Sequence, residues 1–465
     1  DCSNDEQVKI FVQDIDDSDD YMIATTRKTE LNTLLLQDHL LTSTHLASKI
    51  SLQKALEPYE NKYPQTKDFL KYVVVPYFTF DNDSNCPVTT LTSSESLSAV
   101  TKIFATINTT GKTLTPIEIV TAILFSHDIN LKHDIKEFHE ASDYLSNMDN
   151  DGEILLQTIA LLAGQSPKKS MLPKTITYDR FKDHYAEALD LLDMAGQFLT
   201  TELGVGFKDT RKLIPYNSIL APMAVCFKEI KGLKGSERSK ALEKIETWFI
   251  GAALGQRYIQ GVGNKQETDT RDMKEWIRKA NPELKPTWIN SVHISIDMIK
   301  EASPNGSIGK LIKCLINREK PNDPLELTKI GYYDDADEPP EDHHIWPKKF
   351  CTEHIPDWDK NHDSTECALN MIPVAPKTNR KWTNMDPNNQ MNDVKTKIPN
   401  EAKRKQIFEK LLLSDECVQI LERPNKTKKD YQDFLDARFK SLSNKLAIYG
   451  FTLGEEEYED DAPSE

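Results

Sequence analysis

The sequence predicts a mainly α-helical protein with small β elements, divided into two or three structural units. Three observations predict it. The chain has 465 residues, more than one hydrophobic core usually organises. Apolar residues recur at helical spacing through most of its length, as in Ala241, Leu242, Ile245, Trp248, Phe249 and Ala252. Strand-like patterning is confined to short segments.

The elements follow in order. Val8, Ile10 and Val12 stand at every second position and read as a strand, and Tyr72 to Phe80 is a β-rich run broken by Pro76. Thr115-Pro116-Ile117-Glu118 is a capping box with proline at the first helical position, so a helix starts at Thr115. Residues 130–325 read as a succession of amphipathic helices forming a middle domain. The acidic, proline-containing stretch 331–342 reads as a loop at a boundary. Two more helices are written by Phe408, Leu411 and Leu412, then by Tyr431, Phe434, Leu435, Phe439, Leu442 and Leu446, with Gly450 placed to end the second. The expected division is 1–129, 130–325, 326–450 and an acidic disordered tail at 451–465.

Composition narrows the function classes. Hydrophobic residues make up 38% and charged residues 28%, which is the range of chains that fold. The seven cysteines are an odd number without a CxxC pair, which argues against a disulfide framework and for a reducing cytoplasm. The longest apolar runs, such as Ile154 to Ala163, are too short and interrupted for a membrane span, and no basic-then-apolar leader opens the chain. The opening at Asp1 without methionine reads as a fragment or processed product. Net charge is −16, not the balance of a basic nucleic-acid-binding domain. Part of that excess lies in the tail, in Glu455, Glu456, Glu457, Glu459, Asp460, Asp461 and Glu465.

The segment that carries chemistry is Asp342-His343-His344-Ile345-Trp346-Pro347-Lys348, followed by Asn370 and, within Pro376-Lys377-Thr378-Asn379-Arg380-Lys381, by Asn379. Phosphodiester hydrolysis needs an activated water, a Lewis acid on the phosphate and stabilisation of the leaving oxygen. A neutral histidine suits the first task, and an amide oxygen is an acceptable ligand for Mg²⁺ or Mn²⁺. Adjacent residues on a strand point to opposite sides, so His343 and His344 cannot share one role. Taken singly, a His-His pair or an asparagine beside proline is an ordinary loop feature; the ordered combination is what points to a site. A competing set, Cys351, His354, His362 and Cys367, has halves whose spacing a structural zinc accepts, but it lacks a CxxC knuckle.

This arrangement resembles the HNH, or ββα-metal, nuclease motif, in which a His-containing strand, a second strand starting at an asparagine and a helix with another asparagine enclose one divalent cation. The resemblance implies His343 and Asn379 as metal ligands and His344 as general base. Asn370 would fix the loop and orient His344, and Arg380 would hold the phosphate with help from Lys381. Over nearly its whole length the chain is similar to the GmrSD-type family of modification-dependent (type IV) restriction and anti-phage proteins, which join a ParB-like N-terminal domain to a C-terminal HNH domain. The motifs carrying that likeness are Phe104 to Thr115, which matches a Phe-x-x-Ile-Asn-x-x-Gly-x-x-Leu-Thr box, and His343 to Lys348 with Asn379-Arg380; Ile214-Pro215-Tyr216 and Arg257-Tyr258 match more weakly.

The resemblance implies a remnant of the ParB-like domain at 1–129, a helical middle domain, and a C-terminal ββα-metal domain that cuts foreign, modified double-stranded DNA with Mg²⁺ or Mn²⁺. Self-association stays open. The family's Asp-Gly-Gln-Gln-Arg nucleotide motif is missing, and Gly255-Gln256-Arg257 is only a partial echo, so NTP dependence is not expected of this chain alone. Gly111-Lys112-Thr113 is not a P-loop, because Thr106 stands where its first glycine is needed. The alternative from another class is a DNA-binding or regulatory partner with a purely structural HNH fold.

Overall fold

Local signals set the helix starts. The Thr115 side chain accepts from the Glu118 N–H and the Glu118 carboxylate accepts from the Thr115 N–H, completing the capping box. The computed structural model describes residues 9–11, 23–25 and 40–42, then 114–454 with breaks at 143–150, 207–212, 280–283, 334 and 452. The run Tyr72 to Phe80 and the box from Phe104 to Thr113 lie outside the described residues.

The chain forms two units, 1–95 and 96–465. In the first, β1 (Lys9–Phe11) is the centre of a three-stranded antiparallel sheet with β2 (Ile23–Thr25) and β3 (Leu40–Thr42) on either side. The second unit is mainly α-helical with small β pairs, and its first described helices are α1 (Pro116–Phe125) and α2 (Leu131–Ala141).

The core of the helical middle is built from α3 (Glu153–Leu162), α4 (Tyr178–Thr201), α5 (Leu220–Ile230), α6 (Gly235–Leu254) and α7 (Val262–Arg278). Helix α5 is buried from Leu220 through Phe227 and packs against α3, α4 and α7. An all-round apolar helix of this kind can only be a core element. A buried carboxylate, Asp269 of α7, ties α6 and the turn after it to the core. It accepts from Trp248 Nε1 at 3.3 Å, Arg257 at 2.7 Å and the Tyr258 hydroxyl at 2.7 Å. The Tyr216 ring meets that of Tyr258 edge-on at 5.9 Å, so the Ile-Pro-Tyr and Arg-Tyr segments converge on one node.

After α8 (Ser307–Arg318) the chain turns through the acidic loop and enters β4 (Glu341–His344), so the loop ends just before Glu341. Next come α9 (Lys348–His354), β5 (Met371–Val374) and α10 (Pro376–Trp382). Strands β4 and β5 are antiparallel, with His343 opposite Ile372 and His344 opposite Met371. Pro373, which has no N–H to give a ladder, is tolerated in so short a two-stranded pair. Four helices follow: α11 (Pro387–Lys397), α12 (Glu401–Lys410), α13 (Asp415–Glu422) and α14 (Lys428–Leu446), and Gly450 at φ 80° ends the 3₁₀ turn after the last. Trp346, fully buried, packs edge-on to Tyr431 and against Phe434 of α14, which seats the β4 end on the helical core. Among the described residues no helix is long and apolar enough to cross a membrane.

Candidate active site

The strand pair and α10 bring His343, His344 and Asn379 to one open cleft of about 490 Å³, also lined by Pro347, Lys348, Lys349 and Thr383. Alternation along β4 separates the two histidines. His343 is 3% exposed and packs beside the Trp382 ring at 5.5 Å, whereas the His344 side chain is 31% exposed. Asn379 reaches the same point from the middle of α10, with its Oδ1 2.9 Å from His343 Nδ1.

The other ring nitrogen of His343, Nε2, lies 3.3 Å from Oε1 of the fully buried Gln390 on α11. The Gln390 amide nitrogen donates to the Ile345 and Met385 carbonyls. On the opposite side of the site, Asn379 Nδ2 donates to Glu341 Oε2 at 2.9 Å. Burial pushes the His343 imidazole below its ordinary value, and the hydrogen bonds to Asn379 and Gln390 act against that shift.

His344 Nε2 is 2.9 Å from Glu366 Oε1. A carboxylate on one ring nitrogen fixes the imidazole's orientation and leaves Nδ1 to exchange protons, the arrangement a general base needs. Asn370 is fully buried and grips the turn after His344: its Oδ1 accepts from the Trp346 N–H, and its Nδ2 donates to the Trp346 and Thr365 carbonyls. Asn370 thus shapes the loop, and the side chain in direct contact with His344 is Glu366.

Arg380 is exposed on α10, one residue past Asn379 and about a quarter-turn around the helix from the Asn379 and Thr383 face that lines the cleft. Lys381 is paired with Asp393 at 2.8 Å. The first turn of α10 is anchored by Asp323, which is fully buried: it accepts from the Ala375 N–H at 2.6 Å and the Thr378 hydroxyl at 2.7 Å.

Four residues of this assembly, Glu341, Glu366, Gln390 and Asp323, escape a motif reading. Glu341 had a usable signal, since it stands two residues before His343 and so shares its face of the strand. The others meet the site through contacts across 22 or more positions of chain, for which the sequence holds no local sign.

The Cys351, His354, His362 and Cys367 set is not gathered. Both cysteines are buried, His354 stacks on Phe350, and the His362 side chain is 83% exposed. Among the described residues, the histidine and acid group whose ligand atoms do gather is His133, Asp134 and Glu137, on one turn of α2 where Asp134 alone is half-buried. A solvated helix face accounts for it. No protein-family model and no curated protein matches the chain.

Proposed function

We propose that this chain is a divalent-cation-dependent endonuclease of the HNH, ββα-metal kind, hydrolysing phosphodiester bonds of foreign, modified double-stranded DNA in anti-phage restriction. The observation that carries the reading is the approach of His343 Nδ1 and Asn379 Oδ1 to 2.9 Å at the edge of a cleft that also holds His344. Two ligands on adjacent corners of an octahedral cation, each about 2.1 Å from it, stand about 3 Å apart, so this donor pair fits Mg²⁺ or Mn²⁺. The neighbouring carboxylates of Glu341 and Glu366 favour a cation there further.

In this reading His343 and Asn379 hold the cation, which when bound supplies a Lewis acid at the phosphate and stabilises the leaving oxygen. His344 Nδ1 takes the proton of the attacking water while Glu366 steadies the ring through Nε2. Asn370 keeps the turn that presents His344, Lys348 and Lys349 receive phosphates of the DNA strand at the cleft margin, and the exposed Arg380 of α10 takes a further phosphate beyond the cleft. The open form of the cleft suits a polymer laid across it better than a small molecule enclosed within it. Nucleotide turnover is no part of this chemistry, since cation and base together complete the hydrolysis.

The test is cleavage of modified and unmodified plasmid in Mg²⁺ and in Mn²⁺. Cutting that stops with EDTA and in His343→Ala and Asn379→Ala is expected. Cutting that persists in chelator, or in both variants, sinks the reading.

A further inference from the structure

We propose that Glu341 is a positioning residue that holds the Asn379 amide with its oxygen turned towards His343, where that oxygen serves as a cation ligand. The proposal rests on the nuclease reading above and adds a residue that the motif does not contain.

Strand and helix bring the three side chains together. Glu341 and His343 stand two residues apart on β4 and so share one face of it. Glu341 lies opposite Val374 at the end of β5, and α10 starts two residues later at Pro376. Asn379, whose N–H donates to the Ala375 carbonyl, is therefore one turn into the helix and above that face. Its two amide ends divide between the two strand residues: Oδ1 is 2.9 Å from His343 Nδ1, and Nδ2 is 2.9 Å from Glu341 Oε2.

The two ends of an amide side chain are alike in shape and opposite in chemistry, so turning it over exchanges a donor for an acceptor. For Asn379 the choice decides what the residue can do, because only the oxygen is a ligand for a hard cation. Glu341 makes that choice. An ionised carboxylate only accepts, so the end of Asn379 that meets it must be the NH₂ group, and the oxygen is left facing His343. The reversed amide would press its oxygen against the carboxylate. Among the described residues no other acceptor meets Asn379 Nδ2, and the exposed Glu341 pairs with no lysine or arginine. Outer partners that orient a metal ligand typically change metal affinity by about 10- to 100-fold when removed, and an exposed one belongs at the low end.

The experiment uses the full-length chain, ¹⁵N-labelled on its asparagine side chains, as wild type, Glu341→Ala and Glu341→Gln. The first measurement is made without cation. The Asn379 NH₂ signals, identified by their loss in Asn379→Ser, should exchange with water several-fold faster in Glu341→Ala than in wild type. Glu341→Gln offers an amide oxygen in place of the carboxylate and should keep the protection. Mn²⁺ affinity, read by electron paramagnetic resonance, then separates orientation from charge. Both variants lose the carboxylate charge and should bind more weakly than wild type, but Glu341→Ala loses the anchor as well and should bind about 10-fold more weakly than Glu341→Gln. Equal exchange in wild type and Glu341→Ala overturns the proposal, and so does equal Mn²⁺ affinity in the two variants. The exchange result needs no cation, so a wild-type chain that shows the protection and binds no Mn²⁺ overturns the nuclease reading while the hold on the amide stands.

Discussion

Replacing Asp323 separates its structural service from any catalytic one. Its carboxylate accepts four bonds: Oδ1 from the Leu325 N–H at 2.8 Å, the Glu326 N–H at 2.6 Å and the Thr378 hydroxyl at 2.7 Å, and Oδ2 from the Ala375 N–H at 2.6 Å. In Asp323→Ala the buried N–H groups of Leu325 and Ala375 lose their partners, at about 1–3 kcal/mol each, so the loss of stability should be about 3–5 kcal/mol. Asp323→Asn is the sharper perturbation. Its oxygen, placed at Oδ1, keeps three bonds, but its NH₂ then meets the Ala375 N–H, a donor against a donor. The cost falls to about 1–3 kcal/mol and is confined to the start of α10. Amide hydrogen exchange read at Ala375 and at Leu325, beside the urea midpoint, follows both sites. In Asp323→Asn the Ala375 amide should lose protection while Leu325 keeps it, and Asn379, one turn on, should lose affinity for Mn²⁺. Equal protection at Ala375 in Asp323→Asn and wild type would refute the assigned bond, and an Asp323→Ala chain within about 1 kcal/mol of wild type would refute the anchoring role.

Other outcomes follow from the same contacts. His344→Ala should lower cleavage by about 10²–10⁴-fold with DNA retention on a gel unchanged, and wild-type cutting by that variant means the base is another group. Glu366→Gln should cost far less, about tenfold at most, because the Glu366 side chain is 58% exposed and its bond to His344 is solvated; a loss as large as that of His344→Ala would make Glu366 itself a reacting group. Arg438 is fully buried and donates to the Leu369 and Leu411 carbonyls, so Arg438→Ala should destabilise by about 3–5 kcal/mol in urea unfolding, and a neutral result would show that those carbonyls find other donors. Folding lowers the His343 pKa below its ordinary 6.5, so between the folded value and 6.5 the unfolded chain binds more protons. The cation-free protein should therefore lose stability as pH falls through that window and show no such slope above about 7, relative to His343→Asn; a difference that grows only above pH 7 contradicts the sign.

What the sequence makes legible here is what short range determines. The capping box at Thr115 and the terminating Gly450 are interactions over three or four residues, and both appear where the residue pattern puts them. The opposite facing of His343 and His344 follows from the two-residue period of a strand, and Asn379 reaches His343 because β5 feeds α10 after a single intervening residue, Ala375. Gln390 is different in kind. In its own segment it is one more polar residue on an amphipathic helix, and only the placing of α11 beside β4 turns its amide into a partner for His343. The Arg257-Tyr258 pair shows the converse. Its weak likeness to a family motif says nothing of its partners, and in the fold both side chains are engaged by the buried Asp269 carboxylate, with Arg257 also lying 4.5 Å over the Trp288 ring.

These long-range contacts explain how so small a β element can present chemistry at all. Two four-residue strands are marginal by themselves, and β4 and β5 are joined by a long connection instead of a tight turn. Each open end is instead tied by a buried side chain with a backbone partner: Asn370 closes the turn after His344, Gln390 takes the Ile345 carbonyl, Arg438 takes the Leu369 carbonyl just before β5, and Asp323 takes the Ala375 N–H just after it. The ties differ in charge, yet each satisfies a main-chain group that the two-stranded ladder leaves over. Gln390 alone spends its remaining atom on the site, and through that atom the frame that holds the strand also reaches the His343 ring.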